Sequence, residues 1–299
     1  MRILLFGKNG QVGWELQRSL APLGELVALG RDSQNFCGDL TDLDGIAKTI
    51  QTVAPDVIVN AAAYTAVDKA ESEQELASII NAHAPAIMAS EAKLADAWLI
   101  HYSTDYVFDG SGDQPWVETD ATGPLGVYGS TKLDGEQLIQ QTRCQHLIFR
   151  TSWVYGARGG NFVKTMLRLA GERESINVIN DQFGAPTGAD MLADVTAHAI
   201  RRTTSRKELS GMYHLVAGGV TSWHGYARFV IDFARQAGIP LKVVADEIKP
   251  VPTTAYPTPA KRPLNSRLDA GKLENSFDLH MPEWQTGVAR MLSEILEQY

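Results

Sequence analysis

Short apolar runs alternate with stretches of helical spacing along the first half of the chain. Ile3-Leu-Leu-Phe6, Leu26-Val-Ala-Leu29, Val57-Ile-Val-Asn60, Trp98-Leu-Ile-His-Tyr102 and His146-Leu-Ile-Phe149 are all short and nearly continuous. Runs of that length read as strands buried on both faces. Between them, Trp14 to Leu20, Asp42 to Val53 and a long stretch from Glu71 to Ala95 read as helices, the last interrupted at Pro85. Alternation of this kind predicts an α/β fold, a doubly wound parallel sheet.

Beyond residue 150 the pattern loosens. Asn161 to Ala170, Ala189 to Arg202, Thr221 to Ala237 and Trp284 to Leu296 read as helices, and Ile176 to Ile179 as a short strand. Pro250 to Pro263 holds five of the chain's 13 prolines beside Lys261 and Arg262, which predicts a loop with some order. The expected division is a sheet domain over 1–150 and a smaller lobe over 151–299, with some of its segments returning to pack on the first.

Charge and composition exclude several classes. The formal net charge of -8 argues against a general nucleic-acid binder. No apolar run reaches the ~18 residues of a membrane span. The opening Met1-Arg-Ile-Leu-Leu-Phe6 is too short for a signal peptide. Cys37 and Cys144 have no metal or redox spacing, which suits free thiols in a reducing compartment. The expectation is a cytoplasmic protein.

The chemistry-bearing residues sit where predicted strands end. Gly7-Lys-Asn-Gly10-Gln-Val-Gly13 lies between the first strand and the first helix. Glycines there allow a tight turn and close backbone approach to a pyrophosphate, which the helix N-terminus then holds. The second strand ends in Gly30-Arg31-Asp32, where an adenosine ribose is expected. Arginine would accept a 2′-phosphate and aspartate a 2′-hydroxyl, so both cofactor types stay open. Ala61-Ala-Ala63 ends the third strand; its small residues admit a flat ligand or a neighbouring helix. Thr104 follows the fourth strand, placed for a hydroxyl that bonds a substrate carbonyl. Tyr128 and Lys132 are one helical turn apart. A fixed cation near a phenol lowers its pKa from ~10 toward the working range.

Together, the Gly-x-x-Gly-x-x-Gly start, Asn60-Ala-Ala-Ala63, Ser103-Thr104-Asp105 and Tyr128-x-x-x-Lys132 resemble the extended short-chain dehydrogenase/reductases, which act on nucleotide sugars. Tyr64-Thr-Ala-Val-Asp-Lys-Ala-Glu71, Phe149-Arg-Thr-Ser-Trp-Val-Tyr155, Asp181-Gln-Phe-Gly-Ala-Pro-Thr187 and Pro257-Thr-Pro-Ala-Lys-Arg-Pro-Leu-Asn-Ser266 narrow the resemblance to the dTDP-4-dehydrorhamnose reductases. It implies reduction by a nicotinamide cofactor of the C4 keto group of dTDP-4-dehydro-L-rhamnose for cell-surface polysaccharide precursors of the O-antigen type; Arg31 at the end of the second strand makes NADPH the expected cofactor, with NADH also accepted. It implies that Tyr128 donates the proton, that Lys132 bonds the nicotinamide ribose and tunes the tyrosine, and that Thr104 orients the carbonyl. Gly10, Gln11, Val12, Asp39, Leu40, Ala61, Ala62, Ala63, Tyr64 and Thr65 match cofactor-contacting positions, and Gly7, Gly13, Gly30 and Arg31 join them. Val67, Asp105, Trp153 and Arg262 match the substrate side, although Trp153 would serve equally as core filler. The resemblance also implies a homodimer bridged by Mg2+, with Glu15, Asp190 and Glu294 at the matching positions.

Two other readings are open on the residues. A nucleotide-sugar dehydratase or epimerase shares the fold, but an acid–base pair of the dehydratase kind is missing because Tyr106 follows Asp105. A non-catalytic, NADP-binding regulatory subunit would have no use for the tyrosine–lysine pair.

Overall fold

The computed structural model describes residues 1–203 and 205–297. Its centre is a six-stranded sheet built from β1 (Arg2–Phe6), β2 (Glu25–Leu29), β3 (Val57–Asn60), β4 (Trp98–Thr104), β5 (Gln145–Thr151) and a sixth strand, Gly211–His214. In space the order is β2-β1-β3-β4-β5 and then Gly211–His214, and every pairing is parallel. The predicted doubly wound sheet is therefore present, and the sixth strand comes from far down the chain.

The apolar runs are continuous because both faces of the sheet are covered. Ile3, Leu5, Val57, Val59, Ile100, Leu147 and Phe149 face one side, against Leu16 and Leu20 of helix Gln11–Leu20 and Leu192 and Ile200 of helix Ala189–Thr203. Leu4, Phe6, Ile58, Leu99 and Ile148 face the other, against Ile46 and Ile50 of helix Leu43–Val53 and Met88 and Ala92 of helix Ala84–Leu94. Alternate residues of one strand thus feed two cores. A third core, with Val163, Met166, Tyr226, Val230, Trp284 and Val288, gathers the helices of the second half.

The long helical stretch differs in detail from its prediction. Helices Val67–Ala70 and Gln74–Ser78 precede a wide turn at Ile79–His83, where the Ala84 N–H reaches back to the Ile79 carbonyl. Pro85 then lies in the first turn of helix Ala84–Leu94, a position where its missing N–H breaks no bond. The interruption lies just upstream of the proline. Strand Ile176–Ile179 and helix Trp284–Leu296 have their predicted bounds. No helix among the described residues is long and apolar enough to cross a membrane.

Two features set up the site. β1 lies between β2 and β3, so the strand order reverses there and a crevice opens at the carboxyl ends. Helix Val127–Thr142 is fixed beside that crevice by a buried pair: Arg150 Nε and Nη2 donate to Glu136 Oε1 and Oε2 at 2.9 and 2.6 Å. Removing one partner of such a pair strands the other charge, at a cost of ~3–5 kcal/mol.

Candidate active site

The glycine turn after β1 is as tight as its spacing suggests. Gly7 has φ 90° and donates its N–H to the Leu29 carbonyl. A side chain at Gly13 would meet the Gly7 carbonyl oxygen at 2.0 Å, so helix Gln11–Leu20 can approach β1 only with glycine there. The first turn of that helix has no capping side chain. Its free amides face a cleft of about 750 Å3 lined by Gly7, Gly10, Gln11, Val12, Gly30 and Arg31, by Asp39, Leu40 and Ala61 to Thr65, and by Tyr128 and Lys132. A glycine cradle and a helix N-terminus fit the pyrophosphate of a dinucleotide. Every residue assigned to the cofactor lies on this cleft except Gly13, which shapes the turn.

The candidate tyrosine and lysine line the same cleft. Gly129 lies so close to the Tyr106 carbonyl that a side chain there would meet it at 2.2 Å. This contact seats the start of helix Val127–Thr142 against the end of β4. Tyr128 is half-buried beside Thr104. Burial pushes its phenol up to about 12, while a hydrogen bond with Thr104 pulls the other way. Thr104 Oγ donates to Asp105 Oδ1 at 3.0 Å, and Asp105 is itself raised to about 6 by burial. Lys132 is 2% exposed. Its Nζ donates to the Tyr102 carbonyl at 2.6 Å and lies 3.1 Å from His101 Nε2. Burial lowers it to about 8, against the opposing charge of Glu136. The expected lowering of the phenol is therefore not seen in the protein alone: burial dominates, and the bonds of Lys132 go to β4.

A second cavity, of about 310 Å3, is reached through Tyr106, which lines it and packs edge-on against Tyr128. Tyr106, Phe162, Met166, Asn177, Gln182, Trp223, Thr253 and Arg262 are among its lining residues. It has an apolar wall, several amides and hydroxyls, and one guanidinium.

The whole described chain matches one family model, the RmlD substrate binding domain, over residues 1–297. It is 61% identical over 295 residues to a dTDP-4-dehydrorhamnose reductase of Salmonella typhimurium, covering 99% of this chain and 98% of that one. The chain belongs to the dTDP-4-dehydrorhamnose reductase family. A relative of the same name from Burkholderia thailandensis is 45% identical over 302 residues, with 100% of both chains covered. The solved dTDP-4-dehydrorhamnose reductase of Bacillus anthracis, in complex with NADP, superposes with a TM-score of 0.86 at 34% identity, covering 98% of this chain and 99% of that chain.

Arg31 lies on the cleft, but its side chain is 81% exposed and its Nε is paired with Asp39 Oδ2 at 3.2 Å. Trp153 has φ 49° and stacks on Trp223 at 3.7 Å between ring centroids. Trp223 is the tryptophan that lines the second cavity. Val67 is half-buried at the start of helix Val67–Ala70, beside Asp68, which pairs with Arg262.

The carboxylates matched to a metal do not converge within one chain. Glu15 Oε2 pairs with Arg18 at 3.3 Å, Asp190 Oδ2 pairs with Arg290 at 2.6 Å, and Glu294 is exposed on the last helix. No group of three or more potential ligands occurs among the described residues. Each pairing with arginine already satisfies a carboxylate, so these residues do not fit a metal site in the single chain.

Asn81, Asn60 and His101 carry structure that spacing did not signal. Asn81 in the wide turn accepts from the Tyr64 N–H at 2.9 Å and donates to Thr131 Oγ at 3.2 Å. It thereby ties the cleft wall to helix Val127–Thr142. A buried asparagine inside an otherwise apolar helix was the available signal.

Proposed function

We propose that this protein reduces the C4 keto group of dTDP-4-dehydro-L-rhamnose to give dTDP-L-rhamnose, with NADPH preferred and NADH accepted. The observation that carries the reading is Tyr128 on the dinucleotide cleft, hydrogen-bonded to Thr104 at the end of β4 and packed edge-on against Tyr106, which lines the second cavity. Hydride arrival at a carbonyl carbon builds negative charge on one oxygen. Two hydroxyls aimed at that oxygen stabilise the transition state more than the ground state. The bound cofactor supplies the hydride. Tyr128 gives its phenolic proton to the forming alkoxide, and Thr104, whose hydroxyl proton is on Asp105 Oδ1 in the free protein, turns that proton to the same oxygen. Lys132 serves the ribose and the proton balance of Tyr128. Tyr106, Trp223 and Arg262 border the space left for the sugar nucleotide.

The lack of a second carboxylate after Asp105 supports reduction over dehydration. The reading places the protein in the cytoplasm, as a supplier of nucleotide sugar for polysaccharide assembly. The test is a coupled assay with dTDP-4-dehydro-L-rhamnose, following reduced-cofactor absorbance and identifying the product sugar. Cofactor binding without turnover of any 4-keto sugar nucleotide would favour a binding module instead.

A further inference from the structure

Lys132 ends a chain of three side chains, after Asn60 and His101, whose hydrogen bonds do not balance if the lysine is charged. The amide of Asn60 is fixed by its neighbours: Oδ1 accepts from the Ala62 N–H at 3.1 Å, so Nδ2 faces His101 Nδ1, also at 3.1 Å. Reversing the amide would set its NH2 against the Ala62 N–H, two donors face to face. An amide nitrogen offers only hydrogens, so His101 Nδ1 is bare and accepts. The single proton of a neutral imidazole is then on Nε2.

Nε2 lies 3.1 Å from Lys132 Nζ. An ammonium has three hydrogens and no lone pair, so against Nε2–H it is a second donor. An amine has a lone pair and accepts. Asn60, His101 and Lys132 are 1, 1 and 2% exposed, which leaves little room for water to relieve the conflict. We propose that Asn60 and His101 are a positioning pair for Lys132: Asn60 fixes the imidazole tautomer, and the Nε2–H it presents favours the amine form of the lysine in the free protein.

The surrounding charges are few. On the lysine's own helix, Glu136 is held by Arg150 of β5, and Tyr128 is one turn back. From β4 come His101 and Tyr102, whose hydroxyl is turned to Thr196 at 2.6 Å. Asp105 follows β4 and acts on Tyr128. β3 contributes only the uncharged Asn60. Burial, the larger cause, holds His101 well below the ordinary imidazole range whether or not Lys132 is charged, in keeping with a neutral ring.

The catalytic consequence rests on the proposed reduction. After Tyr128 has given its proton away, the Lys132 amine takes one proton from solvent and the ammonium so formed passes one proton to the phenolate, which returns amine and phenol. An ordinary lysine, at ~10.4, holds its proton too tightly to exchange it readily near neutral pH.

The experiment reads the lysine itself. Protein labelled with 15N at lysine Nζ is titrated by NMR, and the Lys132 signal is assigned by its loss in Lys132→Met. In the wild type, Lys132 should titrate at least one pH unit below the ordinary lysine value. Asn60→Asp keeps the bond to Ala62 but draws the imidazole proton to Nδ1, leaving Nε2 bare to accept from an ammonium. Its midpoint should rise by about one unit or more. His101→Gln, whose amide oxygen can accept from the ammonium, should move the midpoint the same way and replaces Asn60→Asp if that variant does not fold. A wild-type midpoint at the ordinary value would overturn the proposal, as would a folded variant with an unmoved midpoint. Turnover does not enter the readout, so failure of the proposed reaction would be seen separately.

Discussion

Nη2 of Arg262 lies 2.7 Å from Oδ2 of Asp68, joining positions 194 residues apart. The other oxygen of Asp68 accepts from the Ala260 N–H at 3.2 Å, so one carboxylate holds both the side chain and the backbone of the proline-rich loop. Nη1 of Arg262 is buried with no partner, and the residue lines the second cavity. Half of the guanidinium is held by Asp68, and the other half is available to an anion. Charge-assisted bonds of this kind contribute ~1.5–3 kcal/mol. Arg262→Ala should therefore raise the KM for the sugar nucleotide roughly 10- to 100-fold, with the cofactor KM unchanged. Asp68→Asn should raise it by less, since the arginine stays but loses its anchor. Equal effects on both Michaelis constants would place Arg262 outside the sugar-nucleotide site.

Tyr128→Phe should retain cofactor binding and lose ~10²–10⁴ of turnover, the usual range for general acid catalysis. The ring keeps its edge-on contact with Tyr106, 5.5 Å between centroids, so the loss belongs to the hydroxyl. Lys132→Met should impair both turnover and cofactor affinity. Steady-state kinetics with separate fluorescence titration of NADPH distinguish the two variants. Near wild-type turnover in Tyr128→Phe would remove the phenol from the mechanism.

Asp105 gives a prediction about stability and pH. Burial raises it to about 6, above the ~3.9 of an unfolded chain. The folded state therefore binds more protons between those values. The stability linked to this proton is complete below ~4 and is lost as pH rises through about 6. At pH 8 the buried, ionised carboxylate costs on the order of 1–3 kcal/mol. Asp105→Asn removes that charge, so it should raise the urea midpoint at pH 8 and do so much less at pH 4. A gain of the same size at both values would show that Asp105 ionises freely in the folded protein.

The five apolar runs were legible because strands covered on both faces must be apolar at every position. Gly211–His214 was not, because its His214 is polar and it has no long apolar run. Its place beside β5 is set by pairing, with Gly211 opposite Leu147. Tyr128, Lys132 and Thr104 were legible because fixed spacing and strand ends place them. The Asn60–His101–Lys132 chain spans three elements, and no spacing within one segment reports it. The stacking of Trp153 on Trp223 is of the same kind: the two are 70 residues apart, and only packing brings Trp223 to the cavity.

Cofactor choice turns on Arg31, and the structure sharpens what to expect there. The guanidinium stands at the carboxyl end of β2, on the cleft, where the ribose 2′ position is expected. It is largely solvated, and Asp39 already binds its Nε. Asp39 is in turn held by the N–H and hydroxyl of Thr41, at 3.0 and 2.8 Å. That keeps its carboxylate on the cleft, where it can bond a 2′-hydroxyl and repel a 2′-phosphate. Asp32 adds a second negative charge nearby: its Oδ1 would lie 3.0 Å from a side chain built at Gly30. Arg31 thus favours the phosphate against two carboxylates. A solvent-screened ion pair contributes only ~0.2–1 kcal/mol. The preference for NADPH should therefore be slight, and Arg31→Ala should lower the NADPH-to-NADH ratio of kcat/KM by roughly two- to fivefold, less at high salt. Asp39→Asn should move the ratio the other way by relieving the repulsion. The ratio measured for the three proteins at two salt concentrations decides the matter. If Arg31→Ala left it unmoved, the arginine would not read the phosphate.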